Sequence, residues 1–267
     1  MLGLESILLY SLLGIFVGIA AGLLGIGGGI IIVPSLTTIF LMQGMPVENV
    51  VHIALGTSMA TIIVTSISSL RAHNKKGAVL WEVVKMIAPG IILGTFFATF
   101  LAAYLSSFYL AILFSIFMGY VSLQMFLNKK PKPSRKLIGA KGQFFSGTII
   151  GSISALVSIG GGSLSVPYLM WQNVDAKKAI GTSAAIGFPL ALSGTFGYVI
   201  NGWEYSSLEN SMLGFVCLPA FFFIAFFSYF TAPLGVKLSH ALPVEVVKKI
   251  FAVLLMVLSL KMLFSVV

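Results

Sequence analysis

Charge is what this sequence has least of. Among 267 residues there are 7 Asp and Glu and 16 Lys and Arg, so 9% of the chain is charged, against about 25% in an average soluble domain. So few charges cannot cover the surface of a soluble fold of this length. Disorder is excluded too, because 58% of the residues are hydrophobic and disorder needs low hydrophobicity. The chain has one cysteine, Cys217, which forms no intramolecular disulfide and reads as a small packing residue in an apolar run. Three histidines and one cysteine make no metal cluster. No Gly-x-x-x-x-Gly-Lys occurs, and Gly25-Ile-Gly27 only loosely imitates a dinucleotide fingerprint, with no soluble strand before it. Nothing here reads as an enzyme or asks for a cofactor.

Acids are missing where a cation carrier would need them. No Asp, Glu or Arg falls in the middle of an apolar run. A cation pathway or carboxylate proton relay normally places such residues inside the membrane. Strand-like alternation is also absent, which argues against a β-barrel.

What remains is an all-α integral membrane protein. Ten apolar runs stand between polar breaks: Ile7–Leu24, Ile30–Met42, Ile53–Leu70, Val83–Tyr104, Phe108–Leu127, Phe144–Val157, Leu164–Trp171, Ala179–Ile200, Met212–Thr231 and Ile250–Val267. Several reach the roughly 20 residues that a helix needs to cross about 30 Å of hydrocarbon. The first has no basic leader and reads as mature structure, not a signal peptide. Pro89 and Pro219 are expected mid-helix, as kinks.

The chain repeats itself. Gly14, Gly18, Gly22, Gly27, Gly28, Gly29, Val33 and Pro34 recur at one constant offset as Gly147, Gly151, Ala155, Gly160, Gly161, Gly162, Val166 and Pro167. Ala54-Leu-Gly-Thr-Ser58 recurs as Ala179-Ile-Gly-Thr-Ser183, and Ser122-Leu-Gln-Met125 echoes Ser259-Leu-Lys-Met262. This divides the chain into a first transmembrane repeat (1–127), a basic linker (128–142) and a second repeat (143–267). The linker holds Lys129, Lys130, Lys132, Arg135, Lys136 and Lys141.

A net charge of +9 could suggest nucleic acid, but the basic residues sit in loops between apolar runs. That is the positive-inside pattern of a protein whose partner is the bilayer. If each glycine cluster reverses the chain, each half has about five segments, four long helices plus a broken or re-entrant hairpin, and the halves are inverted. Arg71, Lys75, Lys76, the linker residues, Lys177, Lys178, Lys237, Lys248 and Lys249 then share one face, which is 14 of the 16 basic residues. That face is expected to be cytoplasmic, with the linker on it. If each cluster only interrupts a crossing, the halves are parallel and the charge bias is lost.

The clusters also predict chemistry. Three consecutive glycines free the backbone to turn. Irregular backbone at membrane depth survives where protein buries it or water reaches it. Each short run after a cluster is then a half-helix whose N-terminus, with unpaired N–H groups and a partial positive charge of about 0.5, lies in the membrane. Two such ends would suit an anion that glycine backbone can approach closely. The candidate backbone donors are Gly27, Gly28, Gly29, Gly160, Gly161 and Gly162. Thr57, Ser58, Thr182 and Ser183 are the candidate side-chain donors. Ser158, Ser163 and Ser165 flank the second cluster. The plainer alternative is a tight hinge between packed helices. Gly14, Gly18 and Gly22, four apart, read as a close-packing face. His52 is the one candidate for proton coupling, although a histidine so placed is more often a hydrogen-bonding residue at an interface.

The doubled blocks Gly25-Ile-Gly-Gly-Gly-Ile-Ile-Ile-Val-Pro34 and Ile159-Gly-Gly-Gly-Ser-Leu-Ser-Val-Pro167, with their Gly-Thr-Ser partners, resemble the sulfite exporter TauE/SafE family over nearly the whole chain. The resemblance implies a permease for sulfur-containing anions such as sulfite, sulfonates, sulfoacetate or thiosulfate. It implies a bacterial inner-membrane protein of about eight helices, where the charge count gives ten segments. The expected function is export of such an anion by alternating access, with no cofactor and no nucleic acid. A proton-coupled importer of an organic anion, or a non-transporting assembly protein, is the alternative; a homo-oligomer is left open.

Overall fold

A computed structural model of the chain describes residues 3–24, 27–127, 137–207, 211–241 and 244–265. Ten α-helices occur among them: α1 (Leu4–Leu24), α2 (Gly29–Met42), α3 (Val47–Asn74), α4 (Trp81–Tyr104), α5 (Ser107–Leu127), α6 (Ala140–Leu156), α7 (Gly162–Trp171), α8 (Ala176–Asn201), α9 (Leu218–Ala241) and α10 (Val244–Ser265). Six of these, α1, α3, α4, α5, α8 and α9, are long and apolar enough to cross a membrane. Large apolar side chains face outward, for example Phe222, Phe226 and Phe230 at four-residue spacing on α9. In water such a stripe would be a liability; in a bilayer lipid covers it. The protein is a multi-pass all-α membrane protein.

Both glycine clusters reverse the chain. At the end of α2, Gln43 Nε2 donates to Ser6 Oγ (2.9 Å), and Tyr10 OH donates to Gln43 Oε1 (3.1 Å). Those partners lie near the start of α1, so α1 and α2 form a hairpin with the glycines at its tip. In the second half Gln172, just past α7, accepts at Oε1 from Gln143 Nε2 and from the Ile138 N–H, each at 2.9 Å. Tyr168 OH donates to Gln143 Oε1 (3.0 Å). α6 and α7 are thus closed at their base in the same way. At about 1.5 Å per residue, the 14 residues of α2 reach roughly 21 Å, too short to span the bilayer alone.

Glycine positions set the directions of the long helices. A Cβ on Gly14 would fall 2.7 Å from the Ile224 carbonyl, one on Gly18 would fall 2.6 Å from that of Ser228, and one on Gly22 would collide with that of Ala232. Both series climb by four, so α1 and α9 run parallel in backbone contact. α4 and α6 do the same: a Cβ on Gly147 or Gly151 would meet the carbonyls of Ile87 and Ile91, each at 2.5 Å. α3 and α8 run antiparallel, since Gly187 faces Ser66 and Gly194 faces Met59. Each half's first helix therefore packs on the other half's fourth, around a central α3–α8 pair.

α5 and α10 are antiparallel too, and their bonds are reciprocal. Ser122 Oγ donates to the Ala252 carbonyl (2.7 Å), and Ser259 Oγ donates to that of Ser115 (2.8 Å). Ser115 and Ala252 stand in the same relation as Ser122 and Ser259. The Ser-Leu-x-Met echo in the sequence is therefore a self-complementary contact. Ser122→Ala and Ser259→Ala should each cost about 1 kcal/mol. The two bonds lie two turns apart, so the double variant should lose the sum. Unfolding midpoints in mixed micelles check this.

One apolar run divides. Within the predicted Met212–Thr231 segment, Met212–Leu213 and Val216–Cys217 form β1 and β2 of a two-stranded hairpin. Its turn holds Gly214 at φ 56°. α9 begins only at Leu218, so Pro219 sits in the first helical turn and not mid-helix as expected. There its missing N–H costs nothing. Pro89 does lie inside α4. Residues 140–142 of the predicted linker open α6, whereas 128–136 lie outside the described residues.

Candidate functional site

The two hairpin tips meet. Gly27 and Gly28 adopt φ 72° and 82°, and Gly161 φ 76°, a region in which a side chain is strained. A Cβ on Gly27 would lie 2.8 Å from Gly160 Cα, and one on Gly29 would collide with the Ser158 carbonyl. Backbone is thus packed against backbone where the two clusters touch. The Ile31 N–H already donates to the Gly28 carbonyl (3.0 Å), the Leu164 N–H to that of Gly161 (3.1 Å) and the Gly161 N–H to that of Ile159 (2.7 Å), so only the N–H groups of the first two residues of α2 and α7 have no acceptor within their helix. Pro34 and Pro167 stand in the second turn of each.

One face of α3 lines the junction. Leu55, Ser58, Ile62 and Thr65 share it by helical spacing. Ser158 Oγ donates to the Leu55 carbonyl (3.0 Å), and Thr65 Oγ1 donates to that of Gly27 (3.2 Å). The Ile62 side chain stands against Gly27 and Gly29. Ser58, between these contacts, is fully buried and its hydroxyl has no partner among the described residues. On α8, Gly187 lies beside the Gly160 carbonyl, and Ile186 and Leu190 lie beside Gly161. Ser183, the counterpart of Ser58, differs in one respect. Ser165 Oγ donates to Ser183 Oγ (2.8 Å) and also lies 2.8 Å from the Gly161 carbonyl. Ile32 occupies the corresponding place on α2, so Ser58 has no such neighbour. Ser163, on the first turn of α7, has a buried hydroxyl with no partner.

Thr57 and Thr182 are held elsewhere. Thr57 Oγ1 accepts the Cys217 N–H (2.9 Å), and Thr182 Oγ1 accepts the Leu80 N–H (3.0 Å). Neither bond could be anticipated, because the donors are backbone groups just before α9 and α4. A weak signal exists: a glycine stands third before each donor, Gly77 before Leu80 and Gly214 before Cys217, and both glycines have positive φ. His52 is also built in. Its Nε2 lies 3.1 Å from the Ala102 carbonyl and 3.0 Å from that of Leu105, and its ring leans on Phe215. It ties α3 to the α4–α5 turn, about 15 Å along α3 from Ile62.

No Asp, Glu, Lys or Arg is buried among the described residues. Any positive potential at the tips therefore comes from helix ends and hydroxyl dipoles. No group of three or more His, Cys, Asp and Glu that could hold a metal occurs among the described residues. A cavity of about 170 Å³ between α3, α8 and α9 has an apolar lining that includes Ala60, Val64, Val199 and Val216, which does not suit an anion.

Comparison with known proteins finds membrane transporters. A probable membrane transporter protein of Haemophilus influenzae is 37% identical over 96% of this chain and 97% of its own length. One from Methanocaldococcus jannaschii is 29% identical over 97% of each chain. The probable membrane transporter protein YunE of Bacillus subtilis is 28% identical over 75% of this chain and 82% of its own. No solved structure gives a significant match. The model of the sulfite exporter TauE/SafE family matches residues 10–262, and with both glycine hairpins and both Gly-Thr-Ser blocks inside that span, the chain belongs to this family of membrane transporters.

Proposed function

We propose that the protein exports a small sulfur-containing anion, of the sulfite, sulfonate, sulfoacetate or thiosulfate type, by alternating access between two inverted halves. One observation carries the reading. Two glycine tips, each opening a half-helix, meet beside the buried hydroxyls of Ser58 and Ser163, which have no partner among the described residues, and no ionised side chain is buried among those residues. The binding groups are the backbone of Gly27–Gly29 and Gly160–Gly162 with the hydroxyls of Ser58 and Ser183. Thr57 and Thr182, expected among them, frame the site. The parallel α1–α9 and α4–α6 pairs, the antiparallel α3–α8 pair and the reciprocal Ser122 and Ser259 bonds support the inverted relation. The positive-inside bias of the basic residues supports a cytoplasmic linker face. An inside-negative potential then drives anion exit by about 2.3 kcal/mol per charge per 100 mV, so export needs no coupling ion. The fixed setting of His52 between two carbonyls speaks against proton-coupled import.

Proteoliposomes offered labelled sulfite, thiosulfate and sulfoacetate, with sodium as control, test this with and without a proton gradient. Flux of at least one anion, independent of the proton gradient, is expected; no anion flux would sink the reading. Ser58→Ala should lower flux roughly tenfold, the worth of one hydrogen bond to a charged group. Unchanged flux would remove Ser58 from the site.

A further inference from the structure

We propose that Thr57 and Thr182 are the two gates of the transport cycle, each a hydroxyl latch that closes one face of the protein. The inference rests on the alternating-access reading. The two bonds are equivalent under the internal repeat. The threonines hold the same place in matching Gly-Thr-Ser blocks, and Leu80 and Cys217 each follow a positive-φ glycine by the same interval. Each threonine accepts one backbone N–H, at 3.0 Å from Leu80 and 2.9 Å from Cys217. Each latch also joins the two halves. Thr57 on α3 holds the segment leading into α9, and Thr182 on α8 holds the segment leading into α4. A close glycine approach sits beside each bond: a Cβ on Gly56 would collide with the Phe215 carbonyl, and one on Gly181 with that of Ala78. Backbone seals what the hydroxyl ties.

Their positions make them gates. The antiparallel register that sets Gly187 against Ser66 and Gly194 against Met59 puts Thr182 level with about residue 71 of α3. The latches then stand about 14 residues apart along α3, roughly 21 Å. The tips, at Ile62 and Thr65, fall between them. Both bonds are made in this structure, so the junction is shut towards both faces. Opening one face needs one bond broken and the other kept, which is the discrimination that alternating access requires. The apolar cavity of about 170 Å³ is lined in part by Val216 and Leu218, the neighbours of Cys217, and gives the Thr57 latch room to swing.

Chain chemistry makes the test direct, because Cys217→Ser leaves a cysteine-free background while keeping the donating N–H. Reporter cysteines go in at Ser58→Cys or Ser183→Cys, between latch and tips. A membrane-impermeant cationic thiol reagent is applied to vesicles of each orientation. Thr57→Val should raise labelling of the Ser58 reporter about tenfold from the face carrying the 212–217 hairpin and leave the opposite face unchanged, the shift that losing one hydrogen bond produces. Thr182→Val should do the mirror of this for the Ser183 reporter. Thr57→Ser and Thr182→Ser keep the acceptor and should label like the parent, which separates a lost latch from a disturbed fold. Unchanged labelling in both valine variants, or an equal rise from both faces, overturns the proposal. Sided labelling without anion flux in the parent protein would keep the latches and remove the transport reading.

Discussion

Gly27→Val is expected to abolish anion flux, lowering it more than about 100-fold, while Gly161→Ala retains flux within roughly tenfold of the parent. The two glycines share a left-handed backbone, φ 72° and 76°, which costs alanine about 1–2 kcal/mol and β-branched valine more. Space separates them. At Gly27 the added Cβ meets Gly160 Cα at 2.8 Å and Ile62 Cγ2 at 3.1 Å. The first is backbone of the opposing tip and cannot turn aside. At Gly161 the nearest atom is Leu190 Cδ1 at 3.5 Å, an ordinary contact. Valine at 27 therefore wedges the tips apart and adds an overpacking cost of about 1–3 kcal/mol. Flux in proteoliposomes, alongside unfolding temperature, reads both effects. Equal losses in the two variants would mean that tip contact does not govern the site.

The largest effect on stability is expected at the seams between halves. Gly22→Leu on α1 and Gly90→Leu on α4 should each cost about 4 kcal/mol or more and leave little monodisperse protein. Their Cβ atoms would collide with the carbonyls of Ala232 and Phe144, so neither helix could keep its distance from its partner. Without a hydrophobic driving force between helices in lipid, such close approach is a main source of association. Gly139→Leu is the control: it has nothing within 4 Å and no positive φ, and should behave as the parent. Size-exclusion profiles after detergent extraction decide. A normal profile for Gly22→Leu would mean that the α1–α9 seam is not what holds the halves together.

Much of this architecture was legible in the residues, and what was not has physical causes. The reversal at each glycine cluster could be read because basic residues mark one face and apolar runs have countable lengths. The exchange of helices between halves could not, because Gly14-x-x-x-Gly18-x-x-x-Gly22 says that something packs closely and not what. The Met212–Cys217 hairpin was hidden inside an apolar run, where a two-residue strand and a helical turn have the same composition. Thr57 and Thr182 looked like ligand donors because their partners, backbone N–H groups, are marked in a sequence only by the glycine three residues before each. Ser58 and Ser183 looked alike within matching Gly-Thr-Ser blocks. They differ because α7 carries Ser165 where α2 carries Ile32, so a repeat in the sequence holds an asymmetric set of hydroxyls.

The exchanged helices also set an order of assembly. α6 emerges from the ribosome after α4 and finds its seam partner already in the membrane. α1, complete at Leu24, has no such partner until α9 begins at Leu218. At roughly 5–20 residues per second, that is a wait of about 10–40 s. Through that interval the glycine face of α1 lies against lipid, or against whatever protein of the insertion machinery shields it. The first half thus cannot mature before the second is complete, and the protein becomes one folding unit although its sequence is written twice.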